Sequence, residues 1–204
     1  GDVSASDGIS VFLVPTDSAG VSIQGFTTID GRSSSEVKLE AVSVDASARL
    51  GLPGKAAEAL VLVNEKATLA CAAEALGALE SMLHKTVEYS KTRKQFGTSI
   101  GTFQALQHRM ADMFIQCQLA RSIVIRAAMK IDSSESTVEK AKAVSAAKSR
   151  IGYAIKAVGQ EAIQIHGGIA MTEELDVGHL FRRVTALDIM FGDADYHTER
   201  YASL

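Results

Sequence analysis

The stretch Leu106-Gln-His-Arg-Met110-Ala-Asp-Met113-Phe-Ile-Gln-Cys117-Gln-Leu-Ala120 places an apolar residue at alternating steps of four and three. Continued through Val124, Ala127 and Ile131, this spacing is the seam of a helix in an antiparallel bundle or coiled coil. It predicts a helix from about Phe103 to Asp132. Upstream, no proline interrupts Lys55 to Thr92, and Leu69, Ala72, Leu76, Leu79 and Leu83 recur on one face, which predicts a first long helix. Downstream, Asp132-Ser-Ser-Glu-Ser136 reads as a turn. A third helix then faces Val144, Ala147, Ile151, Ala154, Val158, Ala162 and Ile165 inward and stops at Gly167-Gly168, where glycine tolerates left-handed geometry. A shorter helix is expected after Thr172, with its hydroxyl as the cap, and a final one near Asp195.

At 1.5 Å per residue, three helices of roughly thirty residues are each about 45 Å long. Leu62, Val63, Phe114, Ile123 and Ile155 lie off the main seams. They imply a four-helix bundle with a second buried surface, most simply supplied by a symmetric oligomer.

Before Asp45 the period is that of strands: Ile9–Val14, Val21–Ile23 and Glu36–Val42, separated by turn residues at Pro15–Gly20 and Asp30-Gly31-Arg-Ser-Ser. Val37, Leu39 and Ala41 alternate with Glu36, Lys38 and Glu40, so one face is expected on a core and one in water. Three strands with nothing before them leave an open edge, which suggests a fragment. The expected fold class is α+β, mostly α, with a C-terminal antiparallel four-helix bundle preceded by part of a β-domain.

The 204 residues are 47% hydrophobic with net charge -3, enough apolar content for a sizeable core and no basic excess for nucleic acid or an anionic membrane. No apolar run reaches the roughly eighteen residues of a membrane span, and the start Gly1–Gly8 is polar without a basic segment. Cys71 and Cys117 sit in apolar helical stretches away from metal-spaced partners, and read as buried thiols of a reducing, cytoplasmic setting. No histidine follows a glutamate by three residues, so a carboxylate-bridged metal bundle is not expected; Asp176 and His179 read as a solvated helix face, as do Glu65, Glu74 and Glu80. GxGxxG after a strand, GxxxxGK[ST] and GxSxG are absent, which removes the dinucleotide fold, the P-loop and the hydrolase elbow.

The residues with chemical potential lie at helix ends. Arg93 closes the first long helix; a cation there complements the helix dipole with Gly97 as the stop, and its guanidinium can also fork onto a pyrophosphate. Phe96 is a core aromatic or a wall against a flat ligand. Gln104 opens the second helix, where its amide can serve backbone or ligand. Gln164 precedes His166-Gly167-Gly168, a helix stop whose bare amides can also receive an anionic phosphate.

In order and spacing, Thr92-Arg-Lys-Gln-Phe-Gly97, Phe103–Met113 and Gln164-Ile-His-Gly-Gly-Ile-Ala-Met-Thr-Glu-Glu174 resemble the C-terminal half of an acyl-CoA dehydrogenase. The resemblance reaches back to Asp7–Val14, similar to late strands of that family's middle β-domain, and so assigns residues 1–50 to that domain and 51–204 to the helical-bundle domain. Phe191-Gly-Asp-Ala-Asp-Tyr-His197 looks like the small-subunit type associated with pimeloyl-CoA and related substrates. The resemblance implies FAD, with Arg93 on the pyrophosphate, Phe96 packed beside the cofactor, Gln104 hydrogen-bonded to it, and Gln164, Gly167 and Gly168 on the ADP portion, all reaching a neighbouring subunit's flavin. It also implies an acyl-CoA substrate, a homo- or hetero-oligomer and an electron-transfer flavoprotein as acceptor.

The implied reaction removes a proton from the α carbon and a hydride from the β carbon of an acyl thioester, the hydride passing to flavin. Most of the family carries Tyr-Glu-Gly-Thr after the fourth helix, its glutamate acting as base. Here the matching residues are Phe191-Gly192-Asp193-Ala194. In members that keep the base on the first long helix, the matching position is Ala67, and Glu65 lies about 200° around the helix from it. The catalytic residue is therefore unassigned. Asp193 either caps the last helix or serves as an unusual base. The chain reads as an oxidoreductase subunit lacking a base, as an active enzyme, or as a bundle scaffold without cofactor.

Overall fold

The computed structural model describes residues 8–204, so the polar start at Gly1–Asp7 lies outside the described residues. The chain divides into two compact units, with the boundary between Asn64 and Glu65.

In the first unit, β1 (Val11–Phe12) pairs antiparallel with β4 (Arg49–Leu50), and β2 (Val21–Thr27) pairs antiparallel with β3 (Ser33–Leu39) from Val21↔Leu39 to Thr27↔Ser33. Thr28–Arg32 makes the hairpin turn, with Gly31 at φ 77°. The expectation that one face of the last strand lies on a core is corrected, since every residue of β3 is exposed, Val37 at 57% and Leu39 at 58%. Strand alternation reports which residues share a face, and a buried face also needs a second layer.

The helix α1 runs Ala57–Thr92 and crosses the unit boundary. The second unit holds its remainder with β5 (Lys94–Gln95), β6 (Thr98–Ser99), α2 (Gln104–Ile131), α3 (Thr137–Ala154), α4 (Gln160–His166), α5 (Asp176–Ile189) and α6 (Ala194–Ser203). The core is the seam expected from periodicity: Leu69, Ala72, Leu76 and Leu79 of α1, Met113 through Ile131 of α2, and Val144, Ala147, Ile151 and Ala154 of α3. Many of these are alanine or cysteine, so the helix axes can approach closely.

Two local departures shape the site. Between α3 and α4 the backbone makes a π turn over Ile155–Gly159, so the third helix is continuous but holds one extra residue. Ala154 and Ile155 are consequently both buried, which corrects the placement of Ile155 on an outer surface. The Phe181 ring lies 3.0 Å from where a Gly159 Cβ would stand, so the π turn and α5 close on each other there. Helix α5 begins at Asp176 without a side-chain cap; Thr172 instead donates from Oγ1 to the Ile169 carbonyl, 2.8 Å away, in the preceding turn. Asp193 caps α6 by accepting from the Tyr196 amide at 2.9 Å.

Among the described residues no helix is long and apolar enough to cross a membrane, and no cluster of three or more His, Cys, Asp or Glu could hold a metal ion. Cys117 is buried, and burial pushes its thiol up to about 11, whereas Cys71 is only half-buried, less than its apolar surroundings in the sequence suggest.

Candidate functional site

Arg93 comes directly after the last residue of α1, its amide donating to the Tyr89 carbonyl at 2.8 Å and its carbonyl accepting from the Ile100 amide at 2.9 Å. Its side chain is exposed. The chain then enters a tight hairpin, β5 against β6, with Phe96 and Gly97 as a two-residue turn at φ 56° and 83°. Gly97 therefore does not stop the helix but turns the hairpin, since a two-residue loop needs positive φ at both central positions.

Phe96 is unfavourably placed on two counts, in a left-handed backbone that disfavours bulky side chains and with 91% of its surface in water. The core alternative for this ring is excluded. Phe103, immediately before α2, meets it edge to face at a centroid distance of 6.1 Å. Gln104 lies exposed in the first turn of α2, and the backbone-serving role falls to Gln107, whose Nε2 donates to the Gly101 carbonyl at 2.9 Å.

Gln164 is exposed on α4, which ends at Gly167 with φ 69°. A Cβ built at Gly167 or Gly168 would meet nothing within 4 Å, so the backbone there fronts open space. Tyr89, which the sequence did not single out, and His166, which its neighbours marked, hold this end to the end of α1. The Tyr89 ring stacks on His166 at 4.4 Å and 26°, and the Tyr89 hydroxyl donates to the His166 carbonyl at 3.3 Å. His166 itself is buried, with Nδ1 donating to the Ala162 carbonyl at 2.8 Å. Within a single chain, then, the helix ends that carry Arg93 and Gly167 are held side by side through Tyr89 and His166, one turn and one residue away.

The segment Phe191–Ala194, which the resemblance matches to a base-bearing motif, holds a tight turn. Phe191 and Gly192 both take positive φ, 60° and 97°, and a Cβ on Gly192 would run into the Tyr196 ring. The Asp193 carboxylate is engaged in the α6 cap, and the Tyr196 amide holds that carboxyl below its ordinary range, opposite to what a base requires. Glu65 is a correction: it is buried, not on a solvated face, and pairs with Arg200 of α6. Also on α1, Glu74 pairs with Arg183 at 2.7 Å and Glu80 with Arg121 at 2.6 Å. His179 lies exposed beside Glu173 at 3.2 Å, and Asp176 pairs with Lys85 at 2.7 Å, as a solvated face would.

Against the turn packs a buried polar cluster that the sequence analysis did not anticipate. Lys148 of α3 and His197 of α6 are each 1% exposed, and both reach carbonyls of the segment after α5. The signal available in the sequence was a lysine at an inward position of a helix whose neighbours, Val144, Ala147 and Ile151, are all core.

Residues 63–203 match the family model described as acyl-CoA dehydrogenase, C-terminal domain. The chain is 33% identical over 190 residues to the probable acyl-CoA dehydrogenase YngJ of Bacillus subtilis (strain 168), covering 92% of this chain and 49% of that protein. Among solved structures it is similar to butyryl-CoA dehydrogenase from Megasphaera elsdenii, with TM-score 0.89, 28% identity, and coverage of 100% of this chain and 53% of that one. It is likewise similar to a chain of the ChsE4-ChsE5 complex from Mycobacterium tuberculosis, with TM-score 0.85, 28% identity, and coverage of 95% and 51%. The chain spans about half the length of the curated relatives it matches over most of its own length.

Proposed function

The chain belongs to the acyl-CoA dehydrogenase family, and from that premise we propose that it works as the flavin-holding part of an FAD-dependent oxidoreductase that dehydrogenates an acyl-CoA thioester between its α and β carbons. Residues 1–50 would then be the end of the β-domain and 51–204 the helical-bundle domain.

The observation that carries this reading is the pairing of two exposed helix ends through Tyr89 and His166, one bearing Arg93 and the other an open-faced Gly167-Gly168. The residues present fit a dinucleotide. A planar guanidinium suits a pyrophosphate, the Gln104 and Gln164 amides are accessible, Phe96 offers an exposed ring, and no side chain screens the glycine backbone. FAD, when bound, supplies the hydride acceptor. These side chains and glycine amides bind and orient it, and in this proposal they reach the flavin of a neighbouring subunit.

The absence of a carboxylate at Gly192 favours a heteromer in which a second chain supplies the base. That similar chains occur in a complex of two different subunits supports this arrangement. The small-subunit pattern at Phe191–His197 points the same way and to pimeloyl-CoA and related substrates. An electron-transfer flavoprotein is the acceptor and the cytoplasm the setting that this reading implies.

The test uses the intact protein. It should purify yellow, Arg93→Ala should lose most of its FAD, and acyl-CoA should bleach the flavin only when the base-carrying partner is present. Bleaching by the pure protein that Asp193→Ala abolishes would make Asp193 the base and overturn the heteromer. A colourless intact protein that takes up no FAD would leave a scaffold.

A further inference from the structure

The segment that links α5 to α6 is held by two buried side chains, Lys148 and His197, and by the Tyr196 ring. The Lys148 Nζ donates to the Asp188 carbonyl and to the Gly192 carbonyl, each at 2.7 Å. The His197 Nε2 lies 2.9 Å from the carbonyl of Phe191, the residue before Gly192. A carbonyl only accepts, so Nε2 carries the ring proton and Nδ1 is the acceptor. Nδ1 then receives the Ser145 hydroxyl at 3.3 Å, and Ser145 Oγ accepts from Arg200 at 2.9 Å. Arg200 ends the relay on buried Glu65.

The hydrogen bonds thus run one way, from the Arg200–Glu65 pair through Ser145 and His197 to the Phe191 carbonyl. The Tyr196 ring fills the space a Gly192 Cβ would need and meets His197 edge to face at 5.0 Å. A lysine kept at 1% exposure costs more than a methionine of similar length would at the same core position. Packing alone does not call for it. What the ammonium does that a thioether could not is satisfy two carbonyls, that of Asp188 in the last turn of α5 and that of left-handed Gly192.

We infer that Lys148 and His197 are positioning residues that fix the Phe191–Gly192 turn as a preformed, carboxylate-free wall for the acyl thioester. This rests on the proposed function and on the resemblance that matches Phe191-Gly192-Asp193-Ala194 to the family's base-bearing segment. Neither side chain touches the ligand; each acts through a backbone carbonyl of the turn.

The experiment uses the intact protein in its assembly, with Lys148→Met, His197→Leu and His197→Gln, the last because its amide can still donate to the Phe191 carbonyl. Amide exchange at Gly192, whose N–H donates to the Ile189 carbonyl at 3.1 Å, reports the turn directly. Lys148→Met and His197→Leu are expected to speed that exchange by about tenfold or more while amides of the α2 core stay within about twofold. They should also slow the flavin absorbance change on adding acyl-CoA by roughly tenfold to a hundredfold, with FAD content unchanged. His197→Gln should restore both to near wild type.

Unchanged exchange at Gly192, or acceleration spread evenly over the bundle, overturns the positioning role. Faster exchange with an unaltered acyl-CoA response overturns the wall. If the wild-type protein takes up no FAD, the proposed function fails by itself, and the exchange data still decide whether Lys148 and His197 set the turn.

Discussion

Gly168 and Gly192 separate two uses of the same residue type. Gly192 sits at φ 97° under the Tyr196 ring, so Gly192→Ala is expected to cost about 1–3 kcal/mol in a urea melt. Gly168 has open space in front of it and no positive φ; Gly168→Ala should change stability by less than about 0.5 kcal/mol yet lower the FAD content of the intact protein. Equal destabilisation by the two changes would show that Gly168 serves the fold. His197 sets a pH dependence with a definite sign. Burial lowers its folded pKa below the ordinary 6.5, so the unfolded chain binds the proton more readily. The stability this residue contributes is whole above 6.5 and declines as pH falls through that value. Melting temperature should therefore drop between about pH 7.5 and 5.5 in the wild type, and drop less in His197→Gln; parallel slopes would assign the titration to another group.

At the scale of elements, the proposed function sets stability against binding in the β5–β6 hairpin. A two-residue turn with positive φ at both positions prefers Asn-Gly, and here it holds Phe96-Gly97. Phe96→Asn is expected to stabilise the unit by up to about 1 kcal/mol while weakening FAD binding, measured by denaturant melts and flavin titration of the intact protein. A variant that gains stability and keeps its FAD affinity would remove Phe96 from the cofactor site. In the third helix, the inward residues were legible from spacing through Ile165, but the π turn at Ile155–Gly159 was not, because one extra residue leaves the apolar pattern almost unchanged.

For the whole molecule, α2 is apolar on two sides. Met113, Cys117, Ala120, Val124 and Ile131 face the core, while Phe114, Ile115, Leu119, Ile125 and Met129 are exposed on an arc of about 140° opposite to it. An exposed apolar stripe of this kind is a candidate subunit contact. Phe114→Glu with Leu119→Glu should shrink the assembly seen by light scattering without loss of helix signal in circular dichroism. An unchanged mass would place the subunit contact on another face.

Helix positions, the core seam, the α6 cap and the rank order of Arg93, Gln104 and Gln164-x-x-Gly-Gly were readable from the amino-acid order alone. All of these rest on local periodicity or on short motifs, where neighbours in sequence are neighbours in space. Tertiary structure decided the rest. Glu65 looked like a solvated residue until Arg200, 135 positions away, met it in the bundle interior. Lys148 stands in a core seam, and only the packed structure places the carbonyls of Asp188 and Gly192 beside it. Charge burial depends on which distant groups arrive to satisfy it, and those arrivals are set by how the helices pack.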